Sequence, residues 1–328
     1  MAKMTEQMHQ IHQVIEKGIQ QHYINGASYS FILPNEIESR YEGVQGGKEG
    51  NVCLDPSMIY DVGSMTEVIA TTTRIFQLLA IQEIRLKDPI KKYLPGFSNP
   101  NVLVLHLLTH TSGIPVEIPG MYRLTGIEFI NALYMVDTDF EPGDHVQVSP
   151  LNFALLGIII RTVDGSIDRA VQDKILYPLA MTNSGFNLNR PKMRFVPTRN
   201  DPKRGQIQGQ VEDQLGLLLN GESGHAGLFS TLNDLTVFTE MMINRGSYQG
   251  KEILDPQLFD GIKKVDVDGQ SLGWCRFKEN RDVFYGSSPT GLIAFNNQNK
   301  HGLVLLHDYI EDEKVHVAMR DEILKVVQ

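Results

Sequence analysis

The chain has 328 residues, 41% hydrophobic and 21% charged, with a formal net charge of -9. That length holds one large domain or two interleaved ones, and the composition is that of an ordinary globular chain. The acidic balance argues against nucleic acid or an anionic membrane surface as the main partner.

The opening stretch MAKMTEQMHQIHQVIEKG is polar and helix-patterned, without the apolar core of a signal peptide. The longest apolar run, Phe153 to Ile160, is too short to span a bilayer. Two cysteines far apart, Cys53 and Cys275, fit a reducing compartment, so a cytoplasmic location is expected. Met8, Ile11, Ile15 and Ile19 share one face of a predicted helix over 5–23, which Asn25-Gly26 should end. Residues 27–33 and 38–46 then form a predicted strand pair around the turn PNE.

A second predicted helix starts at Ser64, with Met65, Val68, Ile69, Thr72, Phe76 and Leu79 at helical spacing. Prolines punctuate the region after it. Residues 126–136, 151–164 and 168–177 are predicted helices, and 187–223 an irregular excursion. Residues 230–246 form a helix capped by Ser230 or Thr231 and ended by Gly246. Strand-like runs GWCRF, DVFYG, LIAFN and GLVLLHD follow, then a helix over 313–327. This order predicts an α/β (α+β) fold: an antiparallel sheet unit made of residues 1–95 and 230–328, with a mainly helical subdomain, 96–229, inserted between them.

Six segments carry a resemblance, in order along the chain: YDVGSMTEVIATTT, LKDPIKKYLPGF, LHLLTHTSGIP, EPGDHVQVSPLNFALLG, YPLAMTNSGF and SGHAGLFSTLNDL. Together they resemble the serine β-lactamase and penicillin-binding-protein superfamily, in particular its class C β-lactamase-like esterases and D-amino-acid peptidases. The resemblance implies a β-lactamase/transpeptidase-like fold and an acyl-enzyme chemistry built on Ser-x-x-Lys. A Tyr-x-Asn or Tyr-Ser-Asp cluster and a Lys/His-Thr-Gly strand would complete the site. It implies no cofactor and no metal.

This chain departs from that pattern at all three places. Ser64 is kept, but Glu67 stands at the lysine position; Val148 stands at the tyrosine position and Pro150 at the Asn/Asp position. The third motif aligns on Gly286-Ser287-Ser288, or alternatively around Tyr285 or Pro289-Thr290-Gly291, with no Lys or His in first place. Ser-x-x-Glu before an apolar helical run is also a capping box, the simpler reading of these residues. Glu67 would then cover the Ser64 N–H, which the resemblance makes an oxyanion donor. The alternative is a working pair with Glu67 as general base.

His106 and His110 have i, i+4 spacing, but no glutamate follows the first, so a zinc site is not expected and His110 is read as a hydrogen-bonding turn residue. His225 is the best polar candidate near the cleft, although a histidine bonding backbone is the simpler reading. Asn152 is expected to bond backbone at a helix start, and Ser149 lies beside it. Ser287 and Ser288 could bind a carboxylate, and Trp274 should pack in the core.

The resulting expectation is an impaired hydrolase homologue whose cleft binds a small molecule, peptide or cell-wall fragment. An active serine esterase using Ser64 with Glu67 or Tyr285, and a regulatory or structural interaction protein, are the alternatives.

Overall fold

A computed structural model describes residues 5–46 and 52–328. Its main feature is a six-stranded antiparallel sheet in the order Cys275–Arg276, Phe284–Ser288, Gly291–Asn296, His301–His307, Gly26–Leu33, Glu36–Gly43. Strand Gly26–Leu33 from the start of the chain pairs with His301–His307 from its end, with Tyr29 opposite Leu305.

The central strands are buried on both faces, and the period of two sorts their side chains into two cores. Tyr29, Phe31, Leu292, Leu303 and Leu305 meet Met8, Ile11 and Ile15 of the helix Glu6–Gln20 and Ile323 of the helix Glu313–Leu324. Ile293, Phe295, Val304 and Leu306 face the other way, into the larger core that holds Phe238 and Met242 of the helix Leu232–Ile243. Trp274 packs in that core as expected, edge-on to Phe295 with ring centroids 4.9 Å apart.

Pro150–Asp164, the long helix of the other half, buries every residue from Leu151 to Ile160. It starts on the Ser149 hydroxyl, which accepts the Leu151 N–H, with Pro150 at the first turn where its missing donor costs nothing. A small sheet places Leu228–Ser230 between Tyr60–Asp61 and Gly185–Phe186. It joins the segment leading into Ser64 to the one leaving His225.

Several boundaries differ from the sequence reading. The first helix ends at Gln20, not at Asn25-Gly26: His22 adopts φ 58° and the Tyr23 N–H returns to the Gly18 carbonyl. Gly26 instead opens the strand. The excursion 187–223 contains a short helix, Gln214–Leu218, and a small hairpin of Asn200–Asp201 with Gly205–Gln206. Thr231, not Ser230, caps the helix Leu232–Ile243. Among the described residues, no single helix is long and apolar enough to cross a membrane.

Candidate active site

The chain enters the cleft along Tyr60–Asp61 and turns at Gly63, whose φ of +53° disfavours any side chain. A 3₁₀ turn, Gly63–Met65, carries Ser64; a π-helical stretch, Glu67–Thr72, follows, and only then the α-helix Thr73–Ala80. Asp61 ties this turn to the opposite wall. Its carboxylate accepts the Gly63 N–H at 3.0 Å and the Glu212 N–H at 2.8 Å. Burial pushes the Asp61 carboxyl up to about 7, against the pull of those two N–H donors. Thr66 donates to the Gly63 carbonyl and accepts the Leu228 N–H, and Thr71 donates to the Gly224 carbonyl, so the serine segment is pinned from several sides.

Strand Phe284–Ser288 passes directly over this segment. A Cβ on Gly286 would lie 2.6 Å from Val68 Cγ2, so a glycine is needed at that crossing. The Ser64 hydroxyl donates to the Ser287 carbonyl at 3.0 Å. The cleft between strand and helical half has a volume of about 550 Å³.

The expected capping box does not form. The Ser64 hydroxyl donates a hydrogen bond to the Ser287 carbonyl, and the Glu67 carboxyl points to His110, with Oε2 3.8 Å from Nε2. The physical reason is the change from 3₁₀ to π geometry between the two residues, which removes the i, i+3 stacking that a capping box needs. Burial first, and the charge of Asp213 second, push the Glu67 carboxyl well above its ordinary range. Its proton is therefore held more tightly than that of an exposed carboxyl.

His110 is the turn residue anticipated, in the left-handed region at φ 53°. Its Nδ1 accepts from the Ser149 N–H at 3.3 Å and the Asn152 amide at 3.1 Å, which leaves the Nε2 proton directed at Glu67. Burial pushes its pKa down to about 4, so the imidazole is neutral. Asn152 therefore bonds side chains and not the backbone expected for it: its carbonyl takes the Ser112 hydroxyl at 2.5 Å. It is fully buried and does not line the cleft.

Across the cleft, the Ser223 hydroxyl meets His225 Nδ1 at 2.6 Å, and His225 Nε2 meets Asp213 Oδ1 at 2.8 Å. Thus His225 bonds two side chains, correcting the backbone reading. The bonding order is that of a Ser-His-Asp triad. Its serine, however, lies at the wrong end: Ser223 is 1% exposed and away from the cleft, whereas Asp213 lines it. The chain of bonds thus orients Asp213. That carboxylate also caps the helix Gln214–Leu218 by accepting the Gly216 N–H. Burial raises its pKa, but the His225 charge and hydrogen bonds outweigh that and leave it below the ordinary value.

Val148 stands 58% exposed at the mouth, and Pro150 lines the wall behind it. Tyr285 and Ser287 face the cleft; Ser288 does not, being buried with its hydroxyl shared with Thr290 at 2.9 Å. Tyr285 is raised by burial and by neighbouring Cys275, so it stays a phenol. The Arg320 guanidinium lies 5.2 Å above its ring and is bonded to Asp321 at 2.9 Å.

Sequence reasoning missed Asp61, Glu212, Asp213, Glu313 and Arg320 as cleft residues. Only Asp213 left a signal, as an aspartate before the apolar run LGLLL, the pattern of a helix cap. Among the described residues, no group of three or more His, Cys, Asp or Glu side chains could hold a metal.

A serine on a helix beneath an antiparallel sheet, facing a helical half across a cleft, defines the class of penicillin-recognising serine hydrolases and their relatives. The Beta-lactamase family model matches residues 11–328, and the chain belongs to that family. A putative D-alanyl-D-alanine carboxypeptidase of Escherichia coli K12 is 27% identical over 253 residues, 66% of this chain and 58% of that protein. The chain thus spans less than two thirds of that relative's length. Among solved structures, a β-lactamase/D-alanine carboxypeptidase from Pseudomonas syringae superposes with TM-score 0.78 at 18% identity, covering 99% of this chain and 100% of that one. EstCE1, a hydrolase with promiscuous acyltransferase activity, gives TM-score 0.78 at 17% identity and 98% coverage of both chains. At these identities the likeness to solved structures establishes the fold: an antiparallel sheet with flanking helices, as expected.

Proposed function

We propose that the protein is a Beta-lactamase-family serine hydrolase homologue with impaired acyl transfer, whose cleft is kept for binding. One observation carries this reading. The Ser64 hydroxyl is committed to the Ser287 carbonyl and receives no hydrogen bond from a basic nitrogen among the described residues. A serine attacks only when a base takes its proton. A main-chain carbonyl cannot take it, Glu67 makes no hydrogen bond to Ser64 and points to His110, and Val148 has no group to offer. Tyr285 remains neutral and is occupied beneath Arg320. If Glu67 were ionised, it would oppose the oxyanion by roughly 4 kcal/mol for charges about 4 Å apart at an effective dielectric near 20. That corresponds to about three decades of rate.

The crossing at Gly286 favours a register in which the third motif ends on that glycine. Its first position is then Phe284, an apolar residue buried in the core. We also read the cleft as lying between a discontinuous sheet unit, 1–95 with 230–328, and the inserted helical unit 96–229. Because a relative carries the name D-alanyl-D-alanine carboxypeptidase, D-alanyl peptides and cell-wall fragments are the first ligands to try.

The test is turnover of nitrocefin, nitrophenyl esters and D-alanyl peptides by the wild type and by Ser64→Ala. Equal background rates are expected; a Ser64-dependent rate well above background would overturn the reading. Glu67→Lys with Val148→Tyr should restore weak acylation at best, because no cation returns to the third motif. Robust acylation by a β-lactam in that variant would show the losses to be ranked wrongly.

The retained serine supports a second reading, an active esterase with Glu67 as base, assisted by His110 at 3.8 Å. Labelling by a fluorophosphonate, lost in Ser64→Ala, would favour it.

A further inference from the structure

We propose that the cleft selects its ligand by positive charge, taking the ammonium of a small amine or a peptide N-terminus against Glu67 and Asp213, with an apolar neighbour resting on Val148. This rests on the reading that the cleft is kept for binding, and it names the class of ligand.

The charge inventory is one-sided. Asp61, Glu67, Glu212, Asp213 and Glu313 line the cleft, Glu212 being paired with Arg199, and among the described residues no lysine lines it. Arg320 is the lone lining guanidinium among the described residues, and that group is bonded to Asp321 at 2.9 and 2.7 Å and lies on the Tyr285 ring. Both imidazoles are engaged as well: His225 lies between Ser223 and Asp213, and His110 turns its accepting nitrogen away towards Ser149 and Asn152. A carboxylate entering here meets the charge of Asp213 and finds no free cationic donor among the described residues.

An ammonium has three donors and needs acceptors. The Glu67 carboxyl supplies the one that nothing else uses. Its side chain is only 15% exposed, yet it makes no hydrogen bond with any described residue; His110, at 3.8 Å, is beyond hydrogen-bonding distance. A carboxyl this sheltered from water and without a partner is unfavourable until a donor arrives. Asp213, with its side chain 39% exposed, is held in place from behind by His225 and contributes the second acceptor. The Ser287 carbonyl, now met by the Ser64 hydroxyl, can serve as the third. At the mouth, exposed Val148 offers apolar surface beside the acids.

The test is a charge series on one side chain: phenylalaninamide (ammonium), N-acetylphenylalaninamide (neutral) and N-acetylphenylalanine (carboxylate), titrated against the full chain by protein-observed NMR or calorimetry at neutral pH. The ammonium compound is expected to bind at least about tenfold tighter than the neutral one, with the carboxylate weakest, and the preference to shrink with added salt. Glu67→Gln and Asp213→Asn should each reduce the affinity for the ammonium towards the neutral value. Equal or tighter binding of the carboxylate, or no saturable binding of the ammonium compound at millimolar concentration, would overturn the inference. The wild-type series decides this even if Asp213→Asn fails to fold. Running it on Ser64→Ala as well separates the two proposals. An anion-preferring cleft overturns this one whatever Ser64 does; Ser64-dependent turnover overturns impaired chemistry and leaves the charge preference standing.

Discussion

The cleft holds two carboxyl–imidazole couples in opposite states. At Asp213–His225 the groups are 2.8 Å apart, and the carboxyl lies below its ordinary range. At Glu67–His110 they are 3.8 Å apart, the carboxyl lies well above its range and the imidazole falls to about 4. Both histidines are buried, so burial alone does not decide the outcome. What differs is the partner at the far nitrogen. His110 Nδ1 is filled by N–H donors from Ser149 and Asn152, which fix the neutral ring, and no hydrogen bond then compensates the burial of Glu67. His225 has a hydroxyl at Nδ1 that can donate or accept, and a carboxylate in direct contact at Nε2. Close hydrogen bonding favours the carboxylate on one wall; its absence disfavours the carboxylate on the other.

The largest effect should come from the support of the neutral couple. Asn152→Ala orphans the Ser112 hydroxyl and the His110 ring nitrogen inside the core and leaves a small cavity. We expect a loss of about 3 kcal/mol in urea unfolding. A loss under about 1 kcal/mol would mean that water replaces the amide and that His110 is not fixed as described.

Removing the charged couple should cost less. Asp213→Ala loses a helix cap, worth about 1 kcal/mol, and a partner for buried His225. Because the Asp213 side chain is 39% exposed, solvent screening discounts the electrostatic part of that contact, and about 2 kcal/mol in total is expected. If Asp213→Asn, which keeps one acceptor oxygen, were as damaging as alanine, charge and not the cap would dominate.

The smallest loss is expected from Glu67→Gln, which should not destabilise the fold at neutral pH, since the amide stays uncharged in the buried site without having to retain a proton. Its pH dependence is the sharper measurement. Above its ordinary value of 4.5, Glu67 releases its proton in the unfolded chain but retains it in the folded one. Wild-type stability therefore falls with rising pH relative to the variant, until the folded group itself ionises. Asp61, raised to about 7, contributes in the same direction; His110, lowered to about 4, contributes oppositely as pH rises from 4 to 6.5. Both are shared by the two proteins and cancel in the difference. Unfolding at pH 5, 6, 7 and 8 should show the advantage of the glutamine variant growing with pH. A constant difference would mean that Glu67 ionises normally and that the two couples are alike.

The fold was legible because its signals are redundant. Short apolar runs at 292–296 and 302–308 mark buried strands, a capped helical pattern marks 230–246, and six motifs in order carry the resemblance that implies the arrangement. The cleft was legible only where one residue type carried the message, as at Ser64. Glu67 was misread because the serine segment is 3₁₀ and then π, which residue types do not announce. Asn152 and His225 were misread because their partners, Ser112 with His110 and Asp213, are distant in sequence or separated by turns. Ser287 and Ser288 are adjacent, yet the strand sends one to the cleft and buries the other.

The pairing of Gly26–Leu33 with His301–His307 has a consequence during synthesis. The first strand leaves the ribosome about 270 residues before the neighbour that completes its ladder, at 5–20 residues per second. For that interval Tyr29 and Phe31 have no cross-strand partner on that edge, and a nascent chain stopped before residue 301 cannot close the sheet. Assembly is therefore governed by slow, long-range pairing after most of the polypeptide has emerged, a state in which exposed edges invite aggregation and chaperone capture.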